Sequence, residues 1–205
     1  TDPRVDGVRE GGTTLAIRKA VYDRIGGIGR ESALEDAIAD LCGRAEKAGL
    51  RIIVTSPKSE VQSPDSDPIL GAWDLRLGTH PEVSIVIPVF NGLKDTRRCL
   101  PALAATTGDV ACEVILVDNA SSDGTAKLLE EESGRWGGRF RVLRQDRNLG
   151  FAKGCNAGAR AAAGKYVLFL NNDTVPRPGW LREMLHVMAF HDRVGAVGST
   201  LLYPA

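Results

Sequence analysis

The sequence KYVLFLNND, at Lys165–Asp173, is the stretch from which the fold can be argued. Five apolar residues, Tyr166–Leu170, run directly into two amides and a carboxylate. A short apolar run that ends in a polar cluster is typical of a strand buried in a parallel sheet. Because ligands of open α/β sheets bind beyond the carboxyl ends of such strands, Asp173 is placed to offer an oxygen to a divalent cation or a sugar hydroxyl. An Asx-type turn without any ligand explains the same pattern equally well at this point.

The composition is that of an ordinary globular protein. Of the 205 residues, 43% are hydrophobic and 25% are charged, which is enough apolar material for a sizeable core. Lysine plus arginine balance aspartate plus glutamate at 26 each, so no overall charge favours nucleic acid or an anionic membrane as a partner. The four cysteines form no CxxC pair, which argues against a zinc site or a disulfide framework and for a reducing, cytoplasmic location.

The hydropathy and the ends of the chain carry two further expectations. No run of about 18 apolar residues predicts a transmembrane helix, and no signal peptide opens the chain. The chain begins at Thr1 without a methionine and stops at Ala205 without a visible terminator, so we expect it to be a piece of a longer protein.

The pattern of residues divides the chain into three stretches. Residues 82–205 alternate between strand and helix, which predicts an α/β fold with a doubly wound, mostly parallel sheet. Residues 61–81 are rich in proline, serine and aspartate and are typical of a linker. Residues 1–60 predict a smaller α/β piece. Its expected elements are a strand running into a helix over Thr14–Ile25, a helix over Glu31–Ala48 and a strand over Arg51–Val54.

Three strands of the last stretch end in polar residues. Asn91 follows the strand VSIVIPV, Asp118 follows CEVILV, and Asn171-Asn172-Asp173 follows Tyr166–Leu170. Since parallel strands place their carboxyl ends at one edge of a sheet, these side chains predict a binding site at that edge. In such a site Asp118 can accept a hydrogen bond from a nucleobase N–H, Phe90 supplies apolar contact, and Asp173 suits a metal that bridges a diphosphate.

Two helical patterns lie beside this edge. Ser122 is expected to cap a helix over Ser122–Ser133. Gly150, Gly154 and Gly158 recur at every fourth residue of a helical pattern and match neither GxGxxG nor a Walker loop, so they predict close packing of a helix on the sheet. A nicotinamide-dependent dehydrogenase is excluded, because Pro88-Val89-Phe90-Asn91 stands where its glycine fingerprint would be.

The last stretch resembles a known family over roughly residues 82–205. Four motifs in order carry the resemblance: SIVIPVFN at 84–91, ILVDNASSDGT at 115–125, NLGFAKGCNAG at 148–158 and FLNNDTVPRPGWL at 169–181. Together they resemble the family 2 glycosyltransferases, most closely the rhamnosyltransferase-like and O-antigen-type members. The resemblance implies a GT-A fold in which the nucleotide-sugar half comes first.

The resemblance also implies roles for individual residues. Pro88, Phe90 and Asn91 would lie by the nucleotide, and Asp118 would bind the base. Asn171-Asn172-Asp173 occupies the DxD position, which holds a divalent metal, usually Mn2+ or Mg2+, against the sugar diphosphate. Asn171 and Asn172 are counted with the nucleotide site, and Asp173 is the one firm metal ligand, because Asn171 replaces the first aspartate of the motif.

The N-terminal stretch resembles the other end of the same family. GGTTLAIRKAVYDRIGGIG at 11–29 is similar to the segment that enters the acceptor half, and ALEDAIADLCGRAEKAGLRIIV at 33–54 is similar to the helix that supplies the catalytic base. Asp36 is the preferred base and Asp40 the alternative, since the two lie four apart on one helical face. A solvated acidic helix balanced by Arg44 and Lys47 explains both residues as well.

The resemblance implies an inverting transfer from a UDP-, dTDP- or GDP-linked sugar to the hydroxyl of a glycan or lipid-linked acceptor, in polysaccharide or cell-surface glycan synthesis. We expect a cytoplasmic protein, peripheral at most to the inner face of the membrane. The base-bearing half precedes the donor half, which favours a fragment spanning two tandem domains over a permuted single domain, and such a fragment would be inactive alone. A nucleotide- or carbohydrate-binding module without turnover is the alternative.

Overall fold

The computed structural model describes residues 14–29, 34–55, 81–191 and 193–199, without the side chains of 34–39 and 51–55. Within these ranges the chain forms seven strands and six α-helices. The strands are β1 (Leu15–Arg18), β2 (Arg51–Thr55), β3 (Val83–Val89), β4 (Cys112–Asp118), β5 (Phe140–Arg144), β6 (Tyr166–Phe169) and β7 (Val194–Ser199). The helices are α1 (Lys19–Arg24), α2 (Leu34–Lys47), α3 (Leu93–Thr106), α4 (Thr125–Trp136), α5 (Phe151–Ala161) and α6 (Trp180–Phe190).

All seven strands belong to one sheet, in the order β2-β7-β1-β6-β3-β4-β5. Among them β1 alone runs antiparallel to its neighbours, and the other pairings are parallel. Every residue of β3 and β4 is buried, as expected of apolar strands covered on both faces. The predicted fold class, a doubly wound and mostly parallel α/β sheet of the GT-A type, is confirmed.

Helices cover both faces of the sheet. Helices α3, α4 and α6 pack on one face through a core that includes Leu100, Leu129 and Met184. Helices α1, α2 and α5 pack on the other face through a second core, which includes Leu41 and Cys155. None of the helices in the described ranges is long and apolar enough to cross a bilayer.

The strands of the N-terminal stretch lie in the same sheet as the rest. The predicted change from strand to helix over Thr14–Ile25 is observed as β1 and α1, and the helix predicted over Glu31–Ala48 is observed as α2. Strand β1 is inserted between β6 and β7, and β2 pairs with β7 at the edge. The division into domains at 1–60, 61–81 and 82–205 stays a prediction, and residues 56–80 lie outside the described ranges.

The predicted helix cap at Ser122 is wrong. Helix α4 begins at Thr125, and Gly124 stands at the N-cap with a left-handed φ of 92°. The Asp123 carboxylate accepts a hydrogen bond from Thr125 N at 3.0 Å, so it does what a capping side chain would do. Ser122 is used elsewhere, because its backbone N–H donates to Asn91 Oδ1 at 2.7 Å.

The predicted close packing of the small-residue helix is confirmed at two of its three glycines. A Cβ atom at Gly154 would lie 2.9 Å from Asn119 Nδ2, and one at Gly158 would lie 3.1 Å from Val117 Cγ2. Gly150 differs, since it precedes α5 with a positive φ of 79° and has open space beside it.

Candidate functional site

The carboxyl ends of β3, β4 and β6 meet at one edge of the sheet. Asp118 is paired with Val89 across the β3–β4 ladder, and Phe169 is level with Val86 across β3–β6. The ladder continues past the strand ends, because Asn119 N donates to Val89 O at 2.9 Å. The polar residues that follow each strand therefore lie on neighbouring loops, about 4.8 Å apart per strand.

Asp118 is the buried carboxylate of this edge. The residue is only 3% exposed, and its Oδ1 accepts a hydrogen bond from Ser121 N at 2.9 Å. Among the described residues none donates a hydrogen bond to Asp118 Oδ2, and the neighbouring Asn119 Oδ1 is buried without a partner. Asp118 can therefore accept a hydrogen bond from a ligand through Oδ2 while the protein holds Oδ1.

Asn91 joins the loop after β3 to the loop after β4. Its Oδ1 accepts hydrogen bonds from Ser122 N at 2.7 Å and Ser122 Oγ at 3.4 Å, and its own N–H donates to Ser121 Oγ at 3.0 Å. Asn91 and Ala120 have φ of 50° and 64°, the two non-glycine residues with positive φ in the described ranges. Such backbone is costly and persists where surrounding contacts determine it, as these hydrogen bonds do here.

Asp123 makes a second connection between the same two loops. Its carboxylate accepts hydrogen bonds from Leu93 N at 3.0 Å and from Thr125 Oγ1 at 2.6 Å. The hydrogen bond from Thr125, with smaller help from backbone N–H groups, lowers the pKa of Asp123 below its ordinary value. Asp123 therefore stays ionised and fixes the first turn of α3 against the start of α4.

Within the Asn171-Asn172-Asp173 stretch, some groups make hydrogen bonds inside the protein and Asp173 is exposed to solvent. Asn172 Nδ2 donates to Thr96 Oγ1 at 3.0 Å and to Gly92 O at 3.5 Å, which ties the loop after β6 to the start of α3. Asn171 O accepts from Thr174 Oγ1 at 2.7 Å. Asp173 is exposed and makes no hydrogen bond or ion pair with the described residues, so its carboxylate is free to bind.

The side chains of this loop fit a divalent metal that would be held partly by the protein and partly by a bound phosphate ligand. Within the described ranges there is no cluster of three or more histidine, cysteine or acidic side chains that could hold a metal ion. Asp173 supplies one hard carboxylate, and Mg2+ is characteristically held by one or two carboxylates together with substrate phosphates. A metal here would accordingly depend on phosphate oxygens for the rest of its coordination.

Phe90 and Pro88 differ in how they meet the edge. Phe90 is 48% exposed, although it follows a fully buried strand, so its ring is available to a ligand. Pro88 is buried within β3 and faces α5, where its Cβ would lie 3.4 Å from a Cβ placed at Gly154. Of the two, Phe90 is therefore the one that can contact a ligand directly.

The candidate bases Asp36 and Asp40 lie about one turn apart on α2. Asp40 Oδ2 is bound by Arg44 Nε at 3.0 Å and Nη2 at 2.7 Å, and Arg44 Nη2 also donates to Gly27 O at 2.5 Å. Asp40 thus helps Arg44 hold the loop before α2. Asp36 is in the first turn of α2, and its side chain lies outside the described part of the chain.

A surface groove of about 620 Å3 adjoins this site at Asn91 and Asp123. Lys94, Arg97 and Arg98 of α3 contribute three cationic side chains to its lining. Neither Asp118 nor Asp173 lines it, so the groove overlaps the edge that the sequence predicts only at Asn91.

Three side-chain contacts that hold loops were not predicted from the sequence. Ser121, Thr96 and Asn156 hold loops through side-chain hydrogen bonds, and nothing in their spacing marks them as different from ordinary polar residues. Only the contact of Ser121 could have been anticipated. Ser121 belongs to the polar run Ser121–Asp123 that follows Asp118, and short polar side chains bond readily to nearby backbone.

Two known proteins are similar to this chain in sequence. Glycosyltransferase AglE of Haloferax volcanii is 33% identical over 106 residues, which cover 51% of this chain and 34% of that protein. The O-antigen biosynthesis protein RfbC of Myxococcus xanthus is 32% identical over 199 residues, which cover 96% of this chain and 14% of that protein. The chain thus spans about a third or less of these relatives.

A similar solved structure is S. aureus TarS 1-349 in complex with UDP-GlcNAc, at 25% identity and a TM-score of 0.49 over 54% of this chain and 32% of that one. The family assignment rests on a separate comparison. The model of the family described as glycosyl transferase family 2 matches residues 84–205, more than half of the chain. On that match, the chain belongs to glycosyl transferase family 2.

Proposed function

We propose that residues 82–205 bind the donor of an inverting glycosyltransferase, which moves a sugar from a nucleotide to an acceptor hydroxyl during polysaccharide or cell-surface glycan synthesis. The observation that carries the proposal is the pair of carboxylates at one edge of the sheet. Asp118 is buried with one oxygen held by Ser121, whereas Asp173 is exposed and unpaired among the described residues. Family membership supplies the reaction class.

Asp118 and Phe90 are proposed to hold the nucleotide. The carboxylate would accept a hydrogen bond from a base N–H through Oδ2, and the half-exposed Phe90 ring would cover the base or ribose with apolar surface. Asn91 keeps its role as a nucleotide neighbour, but chiefly through the loop that it fixes to Ser122. Pro88 and Asn172 would act through packing, because the first is buried and the second is bound to Thr96.

Asp173 is proposed to hold Mn2+ or Mg2+ against the diphosphate, with Asn171 beside it. When bound, the metal would neutralise charge that develops on the departing diphosphate. Asn171 offers an amide oxygen where the family has a carboxylate, so this chain contributes one negative charge to the metal instead of two. We expect weaker metal affinity in the absence of nucleotide than in its presence.

Asp36 is proposed as the general base that takes the proton of the acceptor hydroxyl. Helix α2 leads into β2, which runs in the same direction as β3, β4 and β6, so the first turn of α2 lies towards the edge that carries Asp118. Asp40 lies one turn further from that edge and is paired with Arg44. The acceptor, a glycan or a lipid-linked saccharide, would approach from this side.

We propose that the chain holds parts of two consecutive glycosyltransferase domains, whose strands join here in one sheet so that the first turn of α2 and Asp118 lie towards the same edge. The alignment with RfbC of Myxococcus xanthus runs through 96% of this chain within 14% of that protein, so the same order of segments occurs inside a much longer relative. The free cysteines, three of them buried, support a reducing, cytoplasmic location.

Calorimetric titration tests the donor site. UDP, dTDP and GDP are titrated into the full chain with and without Mn2+, and we expect one of the three to bind, more tightly with the metal. The Asp173→Asn variant should lose the metal effect and keep part of the metal-free binding. If none of the nucleotides binds under either condition, the proposed donor site is wrong.

A binding module without turnover is the second candidate. It is favoured by Asn171, which leaves one carboxylate at the metal position. A nucleotide-sugar assay separates the two functions. Release of free nucleotide that is lost in Asp36→Asn but kept in Asp40→Asn supports catalysis with Asp36 as base. Binding without any nucleotide release supports the module.

A further inference from the structure

The two strands of residues 14–55 pair with strands of residues 81–199 and not with each other. Strand β1 forms four residue pairs with β6, from Leu15–Phe169 to Arg18–Tyr166, and three with β7. Strand β2 pairs with β7 on its far side. Since β7 separates β1 from β2 in the sheet, residues 14–55 have no sheet of their own.

The insertion of β1 fills a slot in the second segment. Without β1, the facing edges of β6 and β7 would present rows of unpaired N–H and C=O groups. Leu15, Ala16 and Ile17 are each 3% exposed or less, so the slot also buries the side chains of the inserted strand. The slot holds a short antiparallel strand whose apolar side chains are buried on both faces of the sheet.

Arg18 adds a charged contact at the end of the slot. Its Nη2 donates to Met188 O at 2.6 Å and its Nε to Val194 O at 3.3 Å. Met188 lies in the last turn of α6, where carbonyl groups have no partner within the helix and the helix dipole favours a cation. The N-terminal segment thereby caps a helix that belongs to the other segment.

Asn156 of α5 holds the loop of the N-terminal segment on the opposite face. Its Oδ1 accepts from Ile28 N at 2.9 Å and from the Tyr22 hydroxyl, and its Nδ2 donates to Ile28 O at 2.8 Å. One amide thus satisfies both backbone groups of a residue that is 4% exposed. Gly27 lets the loop come this close, because a Cβ there would lie 2.7 Å from Asn156 Oδ1.

The covalent connection does not dictate this placement. Residues 56–82 join β2 to β3, and an extended chain of that length reaches about 90 Å. The two strands are four positions apart in the sheet, a separation of about 19 Å. The contacts of β1, Arg18 and Asn156, and not the connection, therefore select the position of residues 14–55.

From these contacts we infer that residues 14–55 are a separable docking segment, and that the slot between β6 and β7 accepts this segment from a second copy of the chain as well as from its own. The occupant is defined by its chemistry: an apolar antiparallel strand, followed by an arginine for the end of α6 and a glycine loop for Asn156. The tandem arrangement proposed above gives such exchange a context, although the inference rests on the contacts alone.

Cutting the connection tests the inference on the full chain. A protease site is placed within residues 56–80, and the purified protein is cut there. We expect both pieces to elute together in size-exclusion chromatography at micromolar concentration. When the cut protein is mixed with a cut copy whose C-terminal piece is tagged, its N-terminal piece should be recovered with the tagged one.

Release of the N-terminal piece on cutting would overturn the inference, whether the remainder stays folded or precipitates. Pieces that stay together but never exchange between copies would overturn it too. Neither readout involves a nucleotide, so its failure is distinguishable from failure of the donor-site proposal.

Matched variants locate the contact. Asn156→Ala removes the hydrogen bonds to Ile28 and Tyr22, and exchange should become about tenfold faster or more. Tyr22→Phe removes one of them and should have a smaller effect. Lys153→Ala changes an exposed side chain of the same helix and should exchange like the parent. Equal exchange rates for Asn156→Ala and Lys153→Ala would show that the amide does not hold the segment.

Discussion

Gly158 of α5 lies so close to Val86 of β3 that a Cβ atom at this position would overlap Val86 Cγ1. Val117 Cγ2 would lie 3.1 Å from the same atom, so neither strand of the central pair leaves room for a side chain. The contact sets the distance between α5 and the sheet. Asn156, which holds the Ile28 loop, lies in the same helix.

Gly158→Ala is expected to destabilise the protein by about 1–3 kcal/mol, because a methyl group must displace two valines in a close-packed core. Chemical denaturation, followed by circular dichroism, measures the change. Gly134→Ala is the matched control, since Gly134 is in α4 with no atom near its missing Cβ, and alanine there should stabilise by about 0.5–1 kcal/mol. Equal effects of the two substitutions would contradict the close contact.

Glu113→Gln tests a buried hydrogen-bond network near the amino ends of β3 and β4. The Glu113 carboxylate accepts hydrogen bonds from Ser84 Oγ at 2.6 Å, Ala163 N at 2.8 Å and Arg141 Nη2 at 2.7 Å. A glutamine amide would turn a donor towards one of these donors, so we expect a loss of about 1–3 kcal/mol in the free energy of unfolding.

Glu130→Gln provides the comparison for this network. Glu130 pairs with Arg144 at 2.7 Å, but its side chain is 67% exposed. Such a surface pair is worth roughly 0–1 kcal/mol, so the variant should unfold close to the parent. A loss for Glu130→Gln as large as that for Glu113→Gln would show that burial does not decide the effect.

Tyr22 makes stability depend on alkaline pH. Burial, more than any other cause, raises the pKa of the Tyr22 phenol above its ordinary value, and the hydrogen bond from the Ile28 N–H lowers it by a smaller amount. The folded state therefore resists ionisation of Tyr22. This contribution to stability is full below the ordinary tyrosine pKa of about 10 and declines as pH rises above it.

Tyr22→Phe is the variant that isolates this titration. At pH 7 it should be less stable than the parent by about 1 kcal/mol, because it lacks the hydrogen bond to Asn156. Between about pH 10 and 11 the difference should shrink or reverse, since phenylalanine does not ionise. Thermal melts of both proteins across this range measure the difference, and a gap that stays constant with pH would rule out the titration of Tyr22.

Asp118→Asn should weaken binding of the nucleotide that the chain prefers by roughly tenfold to a hundredfold, because a charge-assisted hydrogen bond to the base becomes a neutral one. Titration calorimetry gives the affinity. Glu131→Gln removes one exposed negative charge from α4 and should bind like the parent. Similar losses in both variants would mean that net charge, and not a contact of Asp118, governs binding.

Most elements could be predicted because they depend on local pattern. The apolar runs of β3, β4 and β6 predict buried strands regardless of what covers them, and the observed strands agree within a residue or two. Local pattern gave a wrong prediction at Ser122. This residue does not cap α4, and its backbone N–H donates to Asn91 Oδ1 of another loop. Asn172 is assigned to the nucleotide site by the same kind of pattern, but its amide donates a hydrogen bond to Thr96, 76 positions away in the chain.

The sequence by itself determined the α/β class, the family and the acidic residues Asp118 and Asp173 at the strand ends, because those follow from short motifs and from the shared direction of parallel strands. The tertiary structure decided where residues 14–55 go. Whether β1 belongs between β6 and β7 depends on edges that exist only after the other strands have paired, and on contacts such as Asn156 with Ile28, 128 positions apart. No local pattern encodes a partner at that distance.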